Sequence, residues 1–378
     1  MHVDLSVKKN FCVAPIYFPS AGPHYGTENA AVRSDAGAAG VDFSAADAAS
    51  HDQGMGANLL HLPAEMPVHA FYSDHYVLPL PPGHRFPMVK YGALRARVAS
   101  GLPAVRLNEA AAACDDELVR VHDADYVRRV DRGLLSATEQ RAIGFPWSPQ
   151  MVERSRRSAG ATIAACRRAL VDRVAVNLAG GTHHAFRAHG QGYCVFNDVA
   201  VAVRAVQSDA AAAGRPAPRV AVIDLDVHQG NGTAAIFTGD DSVFTLSLHG
   251  ATNFPFRKER SDLDVALPDG TGDDAYLSAL DLALAQMRAR FVADFLVYLA
   301  GADAHEGDRL GKLRLTTKGM RERDERVFAF ARVEGLPVAV AMGGGYGRQI
   351  DTTVEVHFNT VVAACAHWER GAARAAAA

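Results

Sequence analysis

Five short apolar runs recur along this chain, at residues 174–178, 220–223, 243–246, 295–299 and 338–342. Each is long enough to form a strand buried on both faces. Stretches of helical length lie between or beside most of them, at 152–170, 198–213, 274–289, 317–334 and 353–369. The fourth of these places Met320, Val327 and Phe330 among charged residues, the pattern of an amphipathic crossover helix. Alternating β and α units of this kind predict a single open, mostly parallel α/β sheet with helices on both faces. No internal repeat and no second domain boundary interrupts the pattern.

The residues that follow each run are polar or glycine-rich. Gly180, Gly181, Thr182, His183 and His184 follow the first, and Asp224, Asp226 and His228 the second. Ser247 and His249 follow the third, Gly301 and Asp303 the fourth, and Gly343, Gly344, Gly345 and Tyr346 the fifth. Open α/β sheets bind ligands outside the carboxyl ends of their strands, so five loaded strand ends point to one shared active site. Asp224, Asp226 and His228 alternate, which puts them on the same side of an extended backbone. Carboxylate and imidazole are ligands that zinc and iron accept. Read alone, these three are either ligands to one metal or strand-terminal capping residues.

Asp226 and His228 with Asp303 would supply two carboxylates and one imidazole, leaving a position for water as a catalytic metal site requires. Asp303 alone reads equally as a turn or cap residue. His183 and His184 are suited to general acid–base work near neutrality, or are hydrogen-bonded loop residues. The Tyr346 phenol could donate to an oxyanion, or the Gly-Gly-Gly-Tyr segment could be an ordinary strand-to-helix turn.

Composition removes several function classes. The formal net charge of −3 provides no bulk attraction to nucleic acid. Cys12, Cys114, Cys166, Cys194 and Cys365 are odd in number, widely spaced and without a C-x-x-C pair, which indicates neither a disulfide framework nor a thiolate zinc site. A reducing, cytoplasmic setting is expected. No apolar stretch reaches transmembrane length, and Pro15, Pro19 and Pro23 interrupt what a signal peptide would need. Residues 1–68 sustain neither period and read as a poorly structured extension, with the folded part beginning near Met66 or Ala70. The catalytic domain is expected over 69–371, followed by an Ala-rich tail at 372–378.

The motifs around Gly180–His184, Gly192–Asp198, Asp224–Thr233, Ala300–Asp303 and Gly343–Tyr346 resemble, in order and spacing, those of the zinc-dependent histone deacetylase family. That family includes acetylpolyamine amidohydrolases and acetoin-utilisation proteins. The resemblance covers roughly residues 70 to 365, and the segments 74–88 and 143–147 look most like its bacterial and class IV branch. It implies the arginase/deacetylase fold, one Zn²⁺ per chain on Asp226, His228 and Asp303, and His183, His184 and Tyr346 as catalytic residues. A metal-activated water would attack the acetyl carbonyl, His184 would take its proton and later protonate the leaving amine, and His183 would act mainly electrostatically. Asp224 would orient His183 and, with Ser247, hold a structural K⁺. Tyr193 and Phe254 would wall the substrate tunnel, with Gly192 and Gly344 beside it. The implied partner is an acetylated lysine side chain or an acetylated small amine, with no direct nucleic-acid or membrane binding and no indication of oligomeric state.

Two positions depart from the family pattern. Many members place an Asp against the second histidine, where this chain has Asn231. An amide stabilises imidazolium less than a carboxylate does, so His184 should deprotonate more easily and Asn231→Asp should shift the rate profile upward. The lid stretch 134–149 reads as a loop and offers Glu139 but no aspartate, the residue with which many members clamp a polypeptide backbone. Polyamine selectivity would need acidic residues at the tunnel mouth, and Glu139 is the candidate. Two rivals stay open at this point: an arginase-like dimanganese enzyme, against which the missing bridging carboxylates count, and a catalytically silent binding protein of the same fold.

Overall fold

The structure, a computed structural model, describes residues 68–377. The expected N-terminal extension at 1–68 therefore lies outside the described residues apart from Val68. The strands are β1 (His69–Tyr72), β2 (Arg106–Glu109), β3 (Val174–Asn177), β4 (Val220–Asp224), β5 (Val243–Gly250), β6 (Leu263–Leu267), β7 (Phe295–Ala300) and β8 (Val338–Met342). The helices are α1 (Val89–Gly101), α2 (Asp115–Leu118), α3 (Ala124–Asp131), α4 (Ala137–Ile143), α5 (Pro149–Asp172), α6 (Asp198–Ala212), α7 (Asn231–Phe237), α8 (Asp273–Arg290), α9 (Thr317–Glu334) and α10 (Ile350–Ala377).

The strands form one eight-stranded sheet in the order β2-β1-β3-β8-β7-β4-β5-β6, and every pairing is parallel. The five strands expected from apolar runs are β3, β8, β7, β4 and β5, which are consecutive neighbours across its centre. All of their residues are buried. Alternate side chains enter two cores, one on each face. Val174, Val176, Ile223, Tyr298 and Val340 join the core that also takes in α1, α8, α9 and α10 residues. Ala175, Val222, Val297, Ala339 and Ala341 join the core built with α5 and α6. Because all strands run in one direction, their carboxyl ends share one edge, and the polar residues that follow them are gathered there.

Two expectations need correcting. Strand β5 runs on to Gly250, so Ser247 and His249 lie inside it; β6 supplies ladder partners for Leu246 through Gly250. The lid segment is also more ordered than a loop. Ser136 and Glu139 form a reciprocal N-cap for α4, and Gly144 ends that helix in the left-handed conformation at φ 83°. Among the described residues, no helix is long and apolar enough to cross a membrane.

One buried cation ties a helix to the strand ends. Arg323 of α9 is fully buried and donates to Gly301 O (2.5 Å) and Leu225 O (3.3 Å), the carbonyls just beyond β7 and β4. Its Nε and Nη2 also donate to Asp324 Oδ1 at 2.9 and 2.8 Å. Tyr298 and Thr360 donate to the same carboxylate. Removing one member of such a network strands the others without solvent. Arg323→Met is expected to cost about 3–5 kcal/mol of stability, read as a lowered denaturant midpoint; an unchanged midpoint would contradict this bracing role.

Candidate metal centre

The end of β4 and the end of β7 bring Asp226, His228 and Asp303 together. One donor atom from each lies within 4.8 Å of the others, and all three residues are buried. The His228 Nδ1 stands 3.0 Å from Asp226 Oδ1 and 3.1 Å from Asp303 Oδ2. Backbone amides aim the carboxylates: Gly344 N donates to Asp226 Oδ2 (2.6 Å) and Val227 N to Asp303 Oδ1 (2.9 Å). A Cβ on Gly344 would fall 1.9 Å from Asp303 Oδ2, so only glycine permits this approach of the β8 loop.

The electrostatics match a cation-binding cluster. Burial opposes a charge on His228, yet its hydrogen bonds to Asp226 and Asp303 raise its pKa to about 10. Asp303 is pushed up to about 7 by burial and by the neighbouring Asp226. Two carboxylates and an imidazole thus converge on one proton, which a divalent cation would replace. Two oxygens and one nitrogen leave room for a further ligand and fit Zn²⁺; the donor set therefore suits the ion implied by the sequence.

Next to this cluster stand two histidines with different partners. His183 Nδ1 lies 2.7 Å from Asp224 Oδ2, and His184 Nδ1 lies 2.7 Å from Asn231 Oδ1. Their rings are 4.1 Å apart between centroids. Burial disfavours charge on both, but Asp224 and Asp226 raise His183 to about 9. His184 is held well below the ordinary histidine value by burial and by the positive charge of His183 and His228. At neutral pH one ring is a cation and the other a free base, the separation expected of paired acid–base groups. The Asn231 carbonyl oxygen can only accept, so His184 carries its proton on Nδ1 and presents the Nε2 lone pair.

Tyr346 completes the ring of polar groups. Burial, together with Asp226 and Asp303, raises its phenol well above its ordinary value, so it remains a donor. Its ring centroid is 6.3 Å from that of His228. A cleft of about 500 Å³ leads outward from the cluster, and Gly192, Tyr193, Phe254, His184, His228 and Tyr346 are among its lining residues. Tyr193 adopts φ 66°, unusual for a non-glycine residue. Gly192 precedes it at φ 56°, where a Cβ would fall 2.7 Å from the His184 ring. Ser247 faces Asp224 in the β4–β5 register, with its hydroxyl 3.0 Å from His249 Nδ1.

The structure also brings in residues that sequence reasoning did not assign. Asp198 at the start of α6 accepts from Thr182 N (2.7 Å), Thr182 Oγ1 (2.6 Å) and Gly181 N (3.1 Å), fixing the loop that carries both histidines. Asp308 accepts from Tyr346 N at 2.6 Å. Lys90, buried on α1, donates to Gly343 O and Gly345 O at 3.4 and 3.3 Å and sits over the Tyr346 ring. Asp198 belongs to a recognisable motif, whereas Asp308 and Lys90 carry no local signal. Glu139, the expected mouth carboxylate, is spent elsewhere. It accepts from Ser136 N and Oγ and pairs with Arg129, whose hydrogen bond depresses its pKa to about 2.

The model of the histone deacetylase domain matches residues 84–361. An uncharacterised protein of Picosynechococcus is 41% identical over 288 residues, covering 76% of this chain and 94% of the relative. A histone deacetylase-like amidohydrolase of Pseudomonas aeruginosa is 34% identical over 267 residues, covering 65% and 68% of the two chains. Among solved structures, an HDAC homolog from Aquifex aeolicus superposes with a TM-score of 0.66 at 23% identity, covering 79% of this chain and 84% of that one, a likeness of fold.

The Asn231 contact generates a pH prediction. Replacing the amide with a carboxylate adds a negative charge beside His184 and stabilises its cation, so its pKa must rise. In Asn231→Asp the His184 ring resonances are expected to titrate at higher pH than in the wild type, followed by NMR. Coincident titration curves would contradict the assigned contact.

Proposed function

Because this chain belongs to the histone deacetylase family, we propose that it is a zinc-dependent amidohydrolase that removes an acetyl or other acyl group from a lysine-like amine. The observation that carries this reading is the convergence of three different chemistries on one buried spot. His228 of the cation-binding trio, a neutral histidine with a free Nε2 and a protonated phenol line a single cleft, and Asp226 and Asp303 stand against His228 behind it.

Asp226, His228 and Asp303 would hold the ion, which when bound supplies Lewis acidity that acidifies water and polarises an amide carbonyl. His184 accepts the proton of the attacking water at Nε2 and returns it to the departing amine nitrogen. Its depressed pKa keeps it in the accepting form at neutral pH. His183, held as a cation by Asp224, stabilises the negative charge that develops at the carbonyl oxygen. Tyr346 donates its phenolic proton in a hydrogen bond to the same oxygen. Tyr193 and Phe254 exclude water from the flanks of the acyl chain. The pairing of Asp224 with Ser247 across β4 and β5 supports a second, structural K⁺ site at that level.

The test is hydrolysis of an acetyl-lysine peptide by the purified full chain. Loss of a single oxyanion donor costs about 10²–10³ in turnover, so Tyr346→Phe should fold normally and lose activity on that scale. Exhaustive chelation should abolish turnover and added Zn²⁺ should restore it. Full activity in Tyr346→Phe would reject the phenol's role, and activity that survives metal removal would overturn the mechanism.

A further inference from the structure

The mouth of the cleft carries charge of one sign. Arg85, Arg141 and Lys312 line it, and among the described residues no aspartate or glutamate does. Arg85 is exposed, and its backbone carbonyl, not its guanidinium, is what Arg309 contacts. Arg141 donates to the Thr138 hydroxyl at 3.0 Å, with no carboxylate among its contacts. Lys312 differs, because Asp269 lies 3.6 Å away and partly offsets it. Arg85 and Arg309 both act electrostatically on the Tyr193 phenol, which places their charge at the tunnel wall. Phe256, 91% exposed, adds an apolar contact beside Phe254 on the same rim.

The direction of the proposed reaction decides what meets this rim. With the amide carbonyl at Asp226, His228 and Asp303, the acyl group lies inside and the carrier of the amine extends through the mouth. A positive rim attracts an anionic carrier and repels a cationic one. The carboxylate that would have favoured a polyamine, Glu139, is bound to Arg129 and Ser136. We propose that the preferred substrate is an acyl-lysine set in an acidic polypeptide segment, selected by Arg85 and Arg141; the inference rests on the amidohydrolase reading above. It disfavours both acetylpolyamines and Lys/Arg-rich peptide segments.

Exposed charge pairs are individually weak and screened by salt, so two arginines should discriminate by about tenfold at low ionic strength. The test uses two fluorescent acetyl-lysine peptides, one flanked by aspartates and one by lysines. Binding is read by anisotropy and hydrolysis by deacetylation, for the wild type and for the Arg85→Glu, Arg141→Glu double variant. The acidic peptide should bind more tightly, the difference should shrink at high salt, and the double variant should reverse it. Arg85→Gln with Arg141→Gln should abolish the preference, and all forms should hydrolyse a neutral, end-capped acetyl-lysine at the same rate. Equal binding of the two peptides, or a preference that the variants leave unaltered, overturns the inference even when both are hydrolysed. Selective binding of the acidic peptide with hydrolysis of neither supports selection by the rim and overturns the hydrolase reading instead.

Discussion

Asp224, Asp226 and Asp303 are all buried in one patch, and a carboxylate taken out of water loses solvation worth several kcal/mol even after the protein relaxes. The molecule meets this cost by surrounding each carboxylate with donors. Asp224 takes the His183 Nδ1–H and the Asp226 amide. Asp226 takes the amides of His228 and Gly344, and Asp303 takes that of Val227. The pKa values of two imidazoles, His183 and His228, are raised by this concentration of negative charge. The neutral state of His184 follows first from its burial and then from the positive charge beside it, with only an amide for a partner.

Such an arrangement works only if the strand ends that supply it are held in register. The parallel sheet provides the alignment, and Arg323 locks it by donating to the carbonyls of Leu225 and Gly301 from beneath. Gly344 lets the β8 loop approach the carboxylates of Asp226 and Asp303, while Asp308 holds the Tyr346 amide and Lys90 holds the glycine carbonyls that precede it. Positioning and charge compensation are therefore one network. The electrostatics at the cleft mouth are of a different kind: solvent-exposed, salt-sensitive and free to vary without disturbing the reacting groups.

The strands that sequence alone made visible are the five at the sheet's centre, and burial explains why. With both faces covered, β3, β4, β5, β7 and β8 read as continuous apolar runs. The three strands missed, β1, β2 and β6, lie outside that central block, and their residues alternate with or grade into solvent. In β2, Arg-Leu-Asn-Glu carries no apolar run to recognise. The short helices α2, α3, α4 and α7 were equally hidden, and α4 occupies a segment that reads as a loop. Residues at strand ends were legible because the chain's own order announces them. Those that act across the fold, such as Asp308 on the Tyr346 amide or Lys90 on the glycine carbonyls, were not. Their roles depend on tertiary approach between residues far apart in sequence, which no local spacing encodes. Glu139 shows the converse error, a residue whose position suggested the mouth but whose helix-capping geometry turns it to Ser136 and Arg129.

The central claim is that residues from two separate strand ends, Asp226 with His228 and Asp303, form one metal site. Elemental analysis of the purified wild type and of Asp303→Ala, each after passage over a weak chelating resin, measures this directly. One zinc per wild-type chain, with the metal lost from a variant that remains folded, is the result predicted. Full metal occupancy in folded Asp303→Ala, or a wild-type protein that binds no divalent metal on reconstitution, would contradict it.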